Sequence, residues 1–299
     1  MPDYDTLLDA EVHAFLARTS SFYPDDATDL SIAEQRRHYD RMCAAFEVPH
    51  PPGLSVQDRT LGGVPCRIYT PAAARGATIL FCHGGGFVVG GLDSHDSLSA
   101  ELSAGAGARL VAIDYSLSPE HPFPQDFADV LAVFAALEGA LVLCGDSAGG
   151  NLVAALAHAT RASGRVLGQV LIYPALGGAR DLPSYVQHAH APGLTVQDMD
   201  FYEGVRRACA DVTADARFAP LADTDFSGLP ETLIVTAQYD PLSSDGQAYA
   251  AALTAAGGQA EWVEEAGLVH GYLRARHMSA KAGASVARII GALRRMTQS

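Results

Sequence analysis

From residue 56 to residue 263 the chain repeats one pattern: a short, near-continuous apolar run, a loop, and an amphipathic stretch long enough for a helix. The runs fall at 66–70, 78–82, 110–114, 141–144, 169–173, 233–237 and 261–263. Successive Val, Ile and Leu in runs this short mark strands covered on both faces, which calls for helices above and below a parallel sheet. Helices are predicted at 94–106, 127–137, 148–162, 243–256 and 279–296, with Ser94 and Ser243 as N-caps whose hydroxyls would satisfy an orphan amide. The pattern therefore predicts an α/β fold with a mostly parallel central sheet flanked by helices. A hairpin, SVQDRTLGGVPCRIYTP turning at Gly62-Gly63, precedes it.

Two stretches break the rhythm. Residues 1–50 read as a pair of amphipathic helices, and 177–217 as an insertion with one good helix near 196–208. The expected organisation is an N-terminal helical cap segment over 1–50 and a catalytic domain over 51–299 that carries the 177–217 cap insertion. Together the two segments are expected to form a lid over the carboxyl ends of the strands.

Composition narrows the partners. With 48% hydrophobic and 18% charged residues, 299 residues can bury a large core. A formal charge of −14 works against a nucleic-acid backbone or an anionic membrane surface, so a small neutral substrate is expected. No apolar run approaches a membrane span, and the acidic start MPDYDTLLDAEV does not read as a secretory signal. Cys43, Cys66, Cys82, Cys144 and Cys209 lack C-x-x-C spacing, which predicts reduced thiols and a cytoplasmic protein rather than a disulfide frame or zinc site. Cys82 and Cys144 read as small buried hydrophobes. His188 and His190 lack a third ligand, so no metal is expected.

Open α/β sheets bind ligands beyond the carboxyl ends of their strands, so chemistry belongs in the loops after the apolar runs. After 141–144 comes Gly145-Asp146-Ser147-Ala148-Gly149, a G-x-S-x-G nucleophile elbow with Ser147 at its apex. A serine hydroxyl needs a neighbouring base, and His270, between small residues after the last strand, is the histidine placed to serve. Asp240, ending the preceding strand, would fix the imidazole tautomer, with Asp245 as the fallback acid. The order Ser147, Asp240, His270 is that of α/β-hydrolases. The loop His83-Gly84-Gly85-Gly86-Phe87 answers a separate need, since glycine amides can approach a developing oxyanion; Gly84, Gly85 and Ala148 are the expected donors. Gly86 and Phe87 are expected to contact substrate, and Phe15, Phe22, Tyr23, Phe201 and Tyr202 are candidate acyl-pocket aromatics. Asp146 and the pair Glu120-His121 are read as structural.

HGGGFVVG, DYSLSPEHPFP, GDSAGGNL, YDPLSSDG and HGY together resemble the signature series of the hormone-sensitive-lipase-like (family IV) bacterial carboxylesterases. The resemblance covers about residues 55–295. It implies an α/β-hydrolase fold with an N-terminal helical cap, a Ser147-Asp240-His270 triad, no cofactor, activity on short-chain esters, and a dimer through the edge strand near Glu261. Ser116 and Ser118 stand where the family carries Arg and Ala, Ser243 and Ser244 where it carries Arg and Asp, and Phe87 where it often carries Trp. The expected function is a serine carboxylesterase acting on short neutral esters through an acyl-enzyme. The alternatives are an amidase or arylformamidase with the same triad, or a non-catalytic binding protein on this fold.

Overall fold

A computed structural model describes residues 2–24, 30–208, 211–212 and 214–298; Cys209 lies outside them. Eight strands form one sheet: β1 (Leu54–Leu61), β2 (Val64–Pro71), β3 (Thr78–Cys82), β4 (Leu110–Ile113), β5 (Leu141–Asp146), β6 (Val166–Ile172), β7 (Glu231–Tyr239) and β8 (Ala260–Val269). Their order is β1-β2-β4-β3-β5-β6-β7-β8, parallel from β4 to β8 and antiparallel at β1 and β2. Leu61 pairs with Val64, so the hairpin turns on Gly62-Gly63, whose φ of 60° and 88° suit a primed turn.

Among the described residues ten α-helices accompany the strands: α1 (Tyr4–Leu7), α2 (Ala10–Ser20), α3 (Ile32–Phe46), α4 (Asp96–Ala106), α5 (Gln125–Ala136), α6 (Ala148–Thr160), α7 (Pro183–Gln187), α8 (Val196–Arg207), α9 (Ser243–Ala255) and α10 (Ala280–Thr297). The strand period of two splits the apolar residues between two cores. On one face Ile79, Phe81, Val142 and Cys144 pack with Leu98 and Leu102 of α4, Ile289 and Leu293 of α10, and Phe15 and Met42 of the N-terminal helices. On the other Leu80, Cys82, Leu141 and Leu143 meet Val130 of α5, Leu152 and Leu156 of α6 and Leu253 of α9. The near-continuous apolar runs follow from this double coverage. Cys43, Cys66, Cys82 and Cys144 are free and buried, and burial pushes the Cys82 and Cys144 thiols up.

Three sequence expectations change. Ser94 does not cap α4: it sits in a 3-10 turn at Asp93–His95, its hydroxyl donating to Gly91 O at 2.8 Å. Ser243 is the first residue of α9 rather than its cap, and its hydroxyl turns to Glu264 Oε1 at 2.7 Å. Between β6 and β7 lie two helices, α7 and α8, where the pattern offered one; α7 is too short to show a periodicity. No helix among the described residues is long and apolar enough to cross a membrane.

Candidate active site

The glycines around Ser147 are dictated by contact. A Cβ on Gly149 would lie 2.0 Å from Cys82 O, and one on Gly145 2.4 Å from Gly149 O, so α6 could not meet β3 and β5 this closely with any other residue. Ser147 itself takes φ 53°, ψ −116°, a conformation that costs an L-residue about 1–3 kcal/mol. Its N–H is tied to Ile172 O at 2.8 Å, and its carbonyl accepts from Ala175 N at 3.3 Å. The strain lifts the hydroxyl above the sheet edge, at the positive end of α6.

Asp240 and His270 reach this hydroxyl from the ends of the next strands. Asp240 follows β7 directly and is fully buried; its Oδ1 accepts from Leu242 N at 2.9 Å. His270 follows β8, which runs on to Val269 instead of ending near 263, and therefore places the histidine at the strand's carboxyl end. His270 Nδ1 lies 2.7 Å from Asp240 Oδ2, and Nε2 lies 2.9 Å from Ser147 Oγ. A carboxylate only accepts, so the proton sits on Nδ1 and Nε2 is left to accept from the serine. The Tyr173 ring packs 4.7 Å from the imidazole, between centroids. Asp245 is elsewhere: buried in α9, it accepts from Tyr185 Oη at 2.8 Å, Leu176 N at 2.7 Å and Gly178 N at 3.3 Å. Burial, against the pull of these donors, pushes its carboxyl up to about 6.

The glycine loop corrects one expectation. Gly84 is not a free donor: it is buried, and its N–H donates to Asp146 Oδ1 at 2.9 Å. The amides of Gly85, Gly86 and Ala148 donate to no protein group among the described residues, and Gly85 and Gly86 border the pocket that contains Ser147. Sequence alone could not separate three consecutive glycines; which amide is consumed depends on where Asp146 points. That carboxylate also meets Tyr173 Oη at 3.3 Å and His95 Nε2 at 3.4 Å. Burial opposes its charge, but His95, Arg274 and the Gly84 N–H outweigh burial and hold the carboxyl down at about 2. Below the loop, His83 stacks on Tyr115 with centroids 4.4 Å apart, and burial pushes its imidazole down to about 4.

Phe87 is a second correction. Its side chain turns away from Ser147 and packs under the buried Arg206 guanidinium, 3.6 Å from the ring centroid, in a separate cavity of about 260 Å³. Arg206 is in turn paired with Asp126 at 2.7 Å. The cavity at Ser147 and His270, about 290 Å³, is lined by Phe15, Leu16, Tyr23, Tyr39, Met42 and Tyr202, with Leu194 and Arg274. Phe15, Tyr23 and Tyr202 were among the candidate aromatics; Phe201 borders an adjoining cavity and Phe22 borders neither. Tyr39, Met42 and Arg274 were missed. Arg274 had a signal, a charge close behind His270 in HGYLRAR. Outside the pocket, Glu120 pairs with Arg36 of α3 at 2.6 Å, and His188 Nδ1 meets Tyr4 Oη at 2.9 Å. Among the described residues no three His, Cys, Asp or Glu side chains are placed to hold a metal ion.

Residues 79–274 match the family model described as the alpha/beta hydrolase fold. Carboxylesterase NlhH of Mycobacterium tuberculosis is 35% identical over 267 residues, covering 82% of this chain and 83% of that protein. The ethyl acetate hydrolase of Pseudomonas putida is 33% identical, covering 80% of this chain and 81% of the relative. Among solved structures, a mutant of the esterase rPPE superposes with a TM-score of 0.89 at 26% identity, over 98% of each chain.

Proposed function

The chain belongs to the α/β-hydrolase family and is a carboxylic ester hydrolase like its carboxylesterase relatives, and from that premise we propose that Ser147, His270 and Asp240 carry the reaction. The observation behind this reading is the unbroken relay Ser147 Oγ, His270, Asp240, with separations of 2.9 and 2.7 Å. Ser147 Oγ attacks the ester carbonyl carbon while His270 Nε2 takes its proton. Asp240, dry and acceptor-only, stabilises the imidazolium and holds its orientation. The carbonyl oxygen, now an anion, receives the N–H groups of Gly85, Gly86 and Ala148 together with the positive end of α6. Collapse of the tetrahedral intermediate expels the alcohol, which takes the proton from His270. Water, deprotonated by His270, then attacks the acyl-enzyme and releases the acid. No cofactor is needed for any step.

The N-terminal helices and the segment between β6 and β7 act as the cap. Their side chains close a cavity of about 290 Å³, which favours short acyl chains. Reduced, scattered thiols accord with action in the cytoplasm, and β8, an edge strand, is the candidate surface for pairing two copies. Hydrolysis of p-nitrophenyl acetate, butyrate, octanoate and palmitate, beside one matched anilide, tests the reading. The wild type is expected to cleave the short esters and spare palmitate and the anilide. Ser147→Ala is expected to lose ~10⁴-fold or more in kcat with its circular dichroism unchanged. A Ser147→Ala protein that retains wild-type turnover would remove Ser147 from the mechanism; faster anilide cleavage would make the enzyme an amidase.

A further inference from the structure

One cation in the wall of the Ser147 cavity has no anion. Arg274 lies four residues after His270, and its Nη1 comes within 3.2 Å of where a Cβ on Gly271 would sit. Nη2 donates to Tyr39 Oη, and the guanidinium lies over the Tyr39 ring, 5.0 Å from its centroid. Its Nε is buried and makes no geometric hydrogen bond among the described residues, while the Cys43 thiol lies beside the guanidinium. Other arginines lining internal cavities are paired: Arg206 with Asp126, Arg276 with Glu101, and Arg180 with Asp200 and Glu203. Arg274 makes no such ion pair among the described residues.

The two carboxylates that share the cavity are committed elsewhere. Asp146 accepts from Gly84 N and faces His95, influencing Arg274 only through space. Asp198 closes the N-terminus of α8, accepting from Thr195 N at 2.9 Å and Thr195 Oγ1 at 2.7 Å. Keeping an arginine poorly solvated and unpaired is costly unless something completes it. The chain carries a formal charge of −14, so a lone guanidinium beside the nucleophile is a local reversal of the molecule's overall field.

We infer that Arg274 binds a carboxylate carried by the ester, so that the substrates of this site are anionic esters, either hemi-esters of dicarboxylic acids or O-acyl hydroxy acids. The inference rests on the ester-hydrolase reading of the Ser147 site and sharpens it. The guanidinium, which lines the cavity, offers a carboxylate a fixed positive charge and planar N–H donors. The reaction is unchanged: water and ester give acid and alcohol, and the second carboxylate takes no part in bond making.

Two matched pairs test this: 4-nitrophenyl hydrogen glutarate against 4-nitrophenyl valerate, with the charge on the acyl side, and O-acetyl-lactate against isopropyl acetate, with the charge on the alcohol side. The readout is the anionic-to-neutral ratio of kcat/KM within each pair. In Arg274→Gln at least one ratio is expected to fall ~10-fold or more, chiefly through KM, and Arg274→Lys to recover part of it. Ratios that are the same in wild type and Arg274→Gln for both pairs overturn the inference. The wild type supplies a second test that needs no variant: glutaramate is expected to inhibit neutral-ester hydrolysis at least ~10-fold more tightly than glutaramide. Equal inhibition by the two also overturns it. A folded wild type that cleaves no ester, neutral or anionic, fails the ester-hydrolase reading itself, which separates that failure from the loss of the anion site alone.

Discussion

Asp146, at the end of β5, and Asp245, in the first turn of α9, are closed off from solvent to the same degree, at 3% and 0% exposure, yet ionise in opposite directions. Asp245 has the richer set of neutral donors, two backbone amides and the Tyr185 hydroxyl, and burial still pushes it up to about 6. Asp146 accepts one backbone amide and a long contact from Tyr173, and it is held at about 2 because His95 and Arg274 lie close by. Neutral donors satisfy a buried carboxylate's lone pairs; nearby positive charge decides whether it keeps its own. The site beside Ser147 thus contains a permanent anion that holds the glycine loop, whereas the junction of α9 with the segment between β6 and β7 contains a titratable one.

The contrast is most exposed to Asp146→Asn. Removing that charge takes the carboxylate away from His95 Nε2 and gives the Gly84 N–H a weaker acceptor. It is expected to cost ~3–5 kcal/mol by urea unfolding and ~10²-fold in kcat/KM on p-nitrophenyl butyrate. If it costs no more than the equivalent change at Asp245, the two sites do not differ as described.

Asp245 answers to pH. Its carboxyl rises from 3.8 in the unfolded chain to about 6 in the native state, so between those values the native state binds more protons than the unfolded one. Its contribution is complete below about pH 4 and lost as pH rises through about 6, amounting to ~3 kcal/mol. His83 works in the opposite sense: its imidazole falls from 6.5 to about 4, so stability is lost as pH drops through that window. The two partly cancel in the wild type. The difference in unfolding free energy between wild type and Asp245→Asn isolates the aspartate and is expected to shift in the variant's favour by ~2 kcal/mol from pH 4 to 6; a flat difference would remove the raised pKa. The smallest effect belongs to Tyr185→Phe, which deletes one donor to Asp245 while keeping its ring: ~1 kcal/mol at pH 5 by thermal unfolding, with esterase activity as the companion readout.

The sequence made the sheet legible because its strands are covered on both faces, and double coverage writes itself as unbroken apolar runs. Strand β3 falls on its predicted residues, while β7 and β8 run longer; exposed positions of β8, such as Glu261 and Glu264, dilute its apolar signal at the sheet edge. The relay of Ser147, Asp240 and His270 could be read because each residue follows a strand. Assignments that depended on direction could not. Gly84 and Gly85 look alike until Asp146 is seen to claim one amide, and Phe87 looks like a wall of the Ser147 cavity until Arg206 is seen stacked on it in another. Tyr39 and Met42 reach the site from a helix more than 100 residues ahead of Ser147, by a packing that no local pattern records.

The seating of the N-terminal helices has a consequence for how the molecule is made. Residues that wall the cavity at positions 15–42 leave the ribosome before anything that can receive them exists. Their anchors come much later: Tyr4 on His188, Asp9 on Lys281, Glu11 on the amide of Ala280, Tyr39 on Arg274. Contacts of such long sequence separation form late in folding. During synthesis the elbow can therefore assemble while its enclosure is still missing, and the cavity is completed when Tyr39 closes onto Arg274, made 235 residues later.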